Sequence, residues 1–547
     1  MQLQDLSYKL NNQKIYLNTK ELGNFQVSAE IFSFENVYTA KEGSFENKNG
    51  VYFSDKILWG DTEPAKGNLI VETVKTNDGY IIKSQANLDK EIRGIKLRFD
   101  NLPLGVLISS VDCDKQVTEH GLLINYPEGW RSPTSPLLVF ALDGGGYLYL
   151  RSLDTTVNKK RFFVKKYGDK MRIDFVQENH GDKVTTSYCA PDVECGFALT
   201  KEEIFKRQSD YIKEIYTLED YETSSIVPKW FKDVSLVVIM HMEAFTGHIF
   251  HTYESAYKDI EKLCDLIDGK RILVYFAGWE GRYYYKYGDY TPDERLGGGE
   301  KLKEYVQKIQ SLGCKTMAMY GMNIVNKYLP SVKDMIDEAE YVTASGGRFH
   351  CGSVNWEGGH NYDFGQHAQL NIADKKWQDC LYNQIKDASL KYGFDGAFLD
   401  IAASYVCDKR ADVYTGVVEF CDRLRGIKPE FLVSGEGYYD GLSKAMPLFQ
   451  SGHTDGRLHY HDRVSDELFT RYSREFSHLC LGDLYEGSSG VHELGINTET
   501  TAPLRKAIIP TISLVNDTME KAYDKVKEVA ETAKEYARRY LGEKKDK

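Results

Sequence analysis

The sequence predicts a multidomain chain of α/β and β parts, an N-terminal antiparallel β-sandwich followed by a (β/α)8 barrel of the TIM type. Three observations carry this. Apolar and polar residues alternate through roughly the first 198 positions, a helical period begins at Thr200, and beyond Trp230 short apolar runs alternate with amphipathic helices. At 547 residues the chain is too long for one ordinary domain, and its 42% hydrophobic content suffices for more than one core. The expected division is 1–198 for the sandwich, 199–229 for a helical linker, 230–517 for the barrel and 518–547 for a C-terminal amphipathic helix.

In the sandwich region "IRGIKLRF" places Ile95, Leu97 and Phe99 on one face, and "KMRIDF" does the same with Met171, Ile173 and Phe175. "TNDG" (76–79), "DGGG" (143–146) and "YGDK" (167–170) are turn signals between strands. Thr200 and Glu203 then form a capping-box pattern, with Ile204, Tyr211, Ile212 and Ile215 on one helical face. In the barrel region "SLVVIM" (235–240), "RILVYFAGW" (271–279), "KTMAMYGMN" (315–323), "DGAFLD" (395–400) and "FLVSGEG" (431–437) read as strands one to five. "FSHLCLGD" (476–483) and "AIIPTISLVND" (507–517) are later strands. A helix from Glu300 carries Leu302, Tyr305, Val306, Ile309 and Leu312 and stops at Gly313; another from Asp374 carries Trp377, Leu381, Ile385 and Ala388 and stops at Gly393. The last helix has its apolar positions at Met519, Ala522, Val526, Val529, Ala533 and Ala537.

A net charge of −12 argues against a nucleic-acid partner, which usually meets a basic face. Ten cysteines without a C-x-x-C pair signal neither a zinc site nor a disulfide framework, and no cofactor is expected. With no run of 18 apolar residues and no basic-then-apolar N-terminus, a soluble, cytoplasmic protein without a membrane partner is expected. Oligomeric state has no signature in the sequence.

Active sites of such barrels lie at the C-terminal strand ends. Asp395 and Asp400 are five residues apart, about 16 Å in a strand, so Asp395 belongs at the barrel bottom and Asp400 at the top. The next strand brings Glu436, between Gly435 and Gly437, to the same rim. Parallel neighbours lie about 4.8 Å apart, and retaining glycosidases hold their two carboxyl groups about 5 to 5.5 Å apart, against about 6.5 to 9.5 Å for inverting ones. The pair therefore suits a retaining mechanism, with ionised Asp400 as nucleophile and Glu436 as acid and base, its proton held by the neighbouring charge. A carboxylate ending a strand also commonly just caps a helix.

"GFDGAFLD" followed 36 positions later (436 minus 400) by "SGEG" resembles the strand-four Asp and strand-five Glu of retaining α-glycosidases of the α-amylase-like kind. The similarity is greatest to endo-α-N-acetylgalactosaminidases and intracellular α-N-acetylgalactosaminidases. The run 278–323 is similar to a barrel segment of bacterial glycosidases known only as a domain of unknown function. The resemblance spans about 230–450 and implies a retaining α-glycosidase acting on galacto-configured or N-acetylgalactosamine-containing glycans. Two departures stand out: Phe398 occupies the position where α-amylases have arginine, and the loop "CDKRADVY" lacks the histidine-rich pattern of the unknown-function group.

Further rim residues are candidates for binding a carbohydrate substrate: Trp279, Glu280, Asp289, Tyr320, Asn323 and Trp356, with Trp also a common packing residue. "SGHTDGRLHYHDR" (451–463) adds His453, Asp455 and Arg457, Asp455 being a possible third carboxylate. Histidines 453, 459 and 461 leave open a metal-dependent hydrolase or deacetylase, although no H-E-x-x-H motif supports a metal. A non-catalytic carbohydrate-binding protein on the same fold is the other alternative, disfavoured by the presence of both carboxylates.

Overall fold

The computed structural model describes residues 13–60, 62–109, 114–127, 133–244, 247–282, 284–348, 367–450, 470–476, 479–480, 495–496, 504–515 and 517–542. Two compact units divide the chain, the first running to Tyr211 and the second from Ile212.

The first unit is built from two nine-stranded antiparallel sheets. The strand Ile92–Pro103 lies central in one of them, pairing with Gly23–Ser33 on one side and Lys170–Glu178 on the other. Ile95, Leu97 and Phe99 are buried, as are Met171, Ile173 and Phe175, so the alternation read from sequence is the core face. All three turn signals join antiparallel neighbours. Ser152 of one sheet donates to Gln177 Oε1 of the other at 2.7 Å, satisfying polar atoms buried between them. The helix Lys201–Ile215 opens where the Glu203 N–H reaches Thr200 Oγ1 at 3.4 Å.

In the second unit eight parallel strands follow in chain order: strand 1 (Leu236–His241), strand 2 (Ile272–Ala277), strand 3 (Lys315–Gly321), strand 4 (Gly396–Asp400), strand 5 (Leu432–Glu436), strand 6 (Leu448–Gln450), strand 7 (Arg474–Phe476) and strand 8 (Thr511–Leu514). Strand 8 pairs with strand 1, and bridges Glu475 to Ile508 and Cys480 to Ser513 bring the ring to a nearly closed, TIM-like barrel. The sequence reading lacks strand 6, a three-residue element too short to show a period, and starts strand 7 two residues late. Strands 1 to 6 are buried throughout except at Lys315, the first residue of strand 3, as expected of a parallel sheet covered on both faces. Tyr275, Phe398 and Phe476, from strands 2, 4 and 7, meet with centroids 4.4 to 6.1 Å apart and mark the inward face.

Outer helices form where the period requires. Gly298–Ser311 buries Leu302, Tyr305, Val306 and Ile309; Lys375–Tyr392 starts on an Asp374 cap and ends on left-handed Gly393 (φ +97°). The C-terminal helix Tyr523–Tyr540 buries Val526, Val529, Ala533 and Ala537. Among the described residues no helix is long and apolar enough to cross a membrane.

Candidate active site

Strand alternation sets the inward side chains. Asp400 lies two residues beyond Phe398, and Glu436 two beyond Ser434, which is in register with Phe398. Both carboxylates therefore leave the C-terminal rim on the axial side, and both are nearly buried, at 4% and 5% exposure.

The turn after strand 4 connects them. The Ile401 N–H donates to Glu436 Oε2 at 3.0 Å. That nitrogen is two backbone bonds from the Asp400 Cα, so the Glu436 oxygen lies within about 6 Å of this Cα and the two carboxyl groups no more than about 8 Å apart. Ile401 pays for the arrangement with a left-handed backbone, φ +61°, which a β-branched residue avoids at a cost of about 1 to 2 kcal/mol. Its surroundings hold it there. Asn323 Nδ2 donates to the Ile401 carbonyl at 2.9 Å, the Ala403 N–H to the Glu436 carbonyl at 3.0 Å, and the Met322 N–H to the Asp400 carbonyl at 3.1 Å. Strain so over-determined at a strand end is characteristic of functional sites. The glycines around Glu436 have a packing reason: a Cβ on Gly435 would fall 2.7 Å from Ala402 Cβ, and Gly437 is left-handed at φ +71°.

Tyr287 adds a contact that the sequence does not disclose. Its hydroxyl donates to Asp400 Oδ2 at 2.6 Å, and its ring is fully buried. Burial, and then the Asp400 charge, hold the phenol well above its ordinary pKa. The tyrosine-rich run 284–290 marks the loop after strand 2, yet no local pattern says which ring crosses to strand 4. Ile401 is likewise silent in sequence, where it reads as one more apolar residue.

The other candidates separate. Asn323 supports the Ile401 turn, with Tyr341 donating to its Oδ1 at 3.4 Å. Glu280 is fully buried, and neither carboxyl oxygen has a hydrogen-bond partner among the described residues. Desolvation pushes its pKa up to about 8, with Asp400 and Glu243 adding to the rise, so at neutral pH it is mostly a neutral acid beside Asp400. Glu243, after strand 1, is tied to Arg295 at 2.6 and 2.7 Å. Trp279 and Tyr320 turn to the helix layer: the indole packs on Tyr290, Tyr320, Tyr392 and Phe394 and donates to the Met319 carbonyl at 3.0 Å. Asp289 accepts from Thr291 at 2.7 Å and pairs with Lys286 at 3.3 Å. Trp356, His453, Asp455 and Arg457, with the histidines at 459 and 461, lie outside the described residues. At the opposite end of the barrel Asp395 accepts from the Thr316 N–H at 3.1 Å and Gln310 Nε2 at 2.9 Å, a structural role.

An antiparallel β unit followed in the chain by a parallel barrel has counterparts of known structure. The fold is that of α-galactosidases and an α-N-acetylgalactosaminidase. The chain aligns with α-N-acetylgalactosaminidase from Bifidobacterium bifidum over 94% of its own length and 92% of that protein's, at 12% identity and TM-score 0.63. With the galactosidase domain of an α-galactosidase–sucrose kinase the figures are 96%, 74%, 14% and 0.52. With a GH36 α-galactosidase from Geobacillus stearothermophilus bound to raffinose they are 96%, 75%, 11% and 0.52. No protein-family profile matches the sequence, and no curated protein does.

Proposed function

We propose that the chain is a retaining α-glycosidase acting on galacto-configured or N-acetylgalactosamine-containing glycans. The observation that carries this reading is the Ile401 N–H bond to Glu436, which ties the acid/base candidate to the peptide of the nucleophile candidate at the barrel mouth. The sugar class rests on the solved structures of the same fold, which are α-galactosidases and an α-N-acetylgalactosaminidase.

Asp400 attacks the anomeric carbon as Glu436 gives its proton to the departing oxygen, leaving a glycosyl ester on Asp400. Glu436 then takes a proton from water, which displaces Asp400 and regenerates the carboxylate. The Ile401 N–H on Oε2 fixes the orientation of the Glu436 carboxyl group. Glu280, largely neutral, places no full second charge next to the nucleophile.

The test is a panel of aryl α- and β-glycosides with wild type, Asp400→Asn and Glu436→Gln. Both variants are expected to lose at least about a hundredfold in kcat/KM on α-galactosides or α-N-acetylgalactosaminides bearing poor leaving groups. On dinitrophenyl glycosides, whose leaving group needs no proton, Glu436→Gln keeps the first step, and azide restores turnover. Wild-type rates from Asp400→Asn, or turnover confined to β-glycosides, would refute the proposal.

A further inference from the structure

Tyr287 approaches Asp400 from the loop after strand 2, and the fold is shaped to let it do so. Gly321, the last residue of strand 3, is in register with Asp400, and a Cβ built there would lie 2.2 Å from Tyr287 Cδ2. The ring therefore rests directly on the strand end, where only glycine leaves room. The backbone of Tyr287 and Gly288 is pinned. The Asn326 N–H donates to the Tyr287 carbonyl at 2.9 Å, and Ser331 Oγ and Gln384 Nε2 donate to the Gly288 carbonyl at 2.6 and 3.1 Å. The hydroxyl is thus aimed at Asp400 Oδ2 before any sugar arrives.

We propose that Tyr287 is a positioning residue that acts chiefly on the second chemical step, by holding Oδ2 of Asp400 and stabilising the carboxylate as it is released from the glycosyl ester. The inference rests on the retaining reading given above. In the ester Oδ2 is an uncharged carbonyl oxygen and accepts a weak hydrogen bond. During hydrolysis the water oxygen bonds to the anomeric carbon and the C1–Oδ1 bond breaks. Its electron pair returns to the Asp400 carboxylate, and the water proton passes to Glu436. The negative charge that develops is shared with Oδ2, so the Tyr287 bond strengthens along this step, which is the condition for acceleration. In the first step the same bond weakens as charge leaves Asp400, so there its contribution is alignment alone.

The experiment uses the full chain and a 2,4-dinitrophenyl α-galactoside or α-N-acetylgalactosaminide turned over by the wild type. Tyr287→Phe removes one oxygen and keeps the ring. Its kcat is expected to fall about 10- to 100-fold, the range of one hydrogen bond to a charged group. KM falls in parallel and kcat/KM stays within about threefold, because the two quantities report different steps. The glycosyl-enzyme then accumulates, seen as a burst of dinitrophenolate and as an enzyme mass increased by one sugar. Gly321→Ala displaces the ring without touching a polar group and is expected to give the same split, which also covers the case of a Phe variant that does not fold. A kcat within twofold of wild type, or a fall in kcat/KM equal to the fall in kcat without a burst, would overturn the inference. Inactive Asp400→Asn beside a wild-type-like Tyr287→Phe removes only the Tyr287 role; a fully active Asp400→Asn removes the catalytic reading itself.

Discussion

Replacing Glu280 with glutamine keeps the shape of the side chain and removes its titration, and the consequence for stability has a definite sign. Burial raises this carboxyl from the ordinary 4.5 to about 8 in the folded protein. Between those values the folded state keeps a proton that the unfolded state has released, so stability falls as pH rises, by about 1.4 kcal/mol per pH unit. Over the whole interval that amounts to on the order of 5 kcal/mol, and from pH 6 to 8, where the slope flattens toward the folded pKa, to about 2 kcal/mol. At about 2 °C per kcal/mol for a unit of this size, the wild-type barrel should lose about 4 °C in melting temperature from pH 6 to 8 relative to Glu280→Gln. The assay is scanning calorimetry of both proteins at half-unit pH steps from 5.5 to 9. Groups common to both cancel in the difference curve, which should rise in favour of the variant from the acid end of the scan and level above pH 8. Parallel melting curves across this range would show that Glu280 is ionised or solvated in the fold, and the account of a neutral acid beside Asp400 would fail.

Two further expectations separate support from chemistry. Asp395→Ala leaves Lys315 and Lys428, at 3.6 and 3.7 Å, without their carboxylate partner and orphans the Thr316 N–H. It should cost about 2 to 4 kcal/mol in chemical denaturation with kcat unchanged on the folded fraction, because the residue sits at the bottom of the barrel; a large loss of kcat would contradict that placement. Trp279→Ala should destabilise by about 3 to 5 kcal/mol, whereas Trp279→Phe should keep KM within about twofold, since the indole packs against Tyr392 of an outer helix and Phe394 just beyond it; a tenfold rise in KM for the Phe variant would make the ring a sugar platform.

Local pattern disclosed what depends on local pattern. Alternation through Ile95, Leu97 and Phe99 and the helical stripe from Leu302 to Ile309 each express the face that a single element buries, and the structure buries those faces. The same logic divided Asp395 from Asp400, because a strand has two ends and the C-terminal one opens on the barrel mouth. Strand 6 escaped because three residues, Leu448 to Gln450, are too few to show a period; their strand character comes from pairing with strands 5 and 7.

The candidate site was legible only in part, for a related reason. Asp400 and Glu436 end apolar runs and so announce themselves, but Trp279 and Tyr320 carry the same sequence signal as a rim aromatic while facing the helices. The bond from Ile401 to Glu436 spans 35 residues and that from Tyr287 to Asp400 spans 113. By itself the sequence determined the longer elements, their order, and which carboxylates stand at the strand ends. The tertiary structure alone decided which ring holds Asp400, which peptide holds Glu436 and which acid stays protonated, because hydrogen bonding and desolvation depend on neighbours brought together in space.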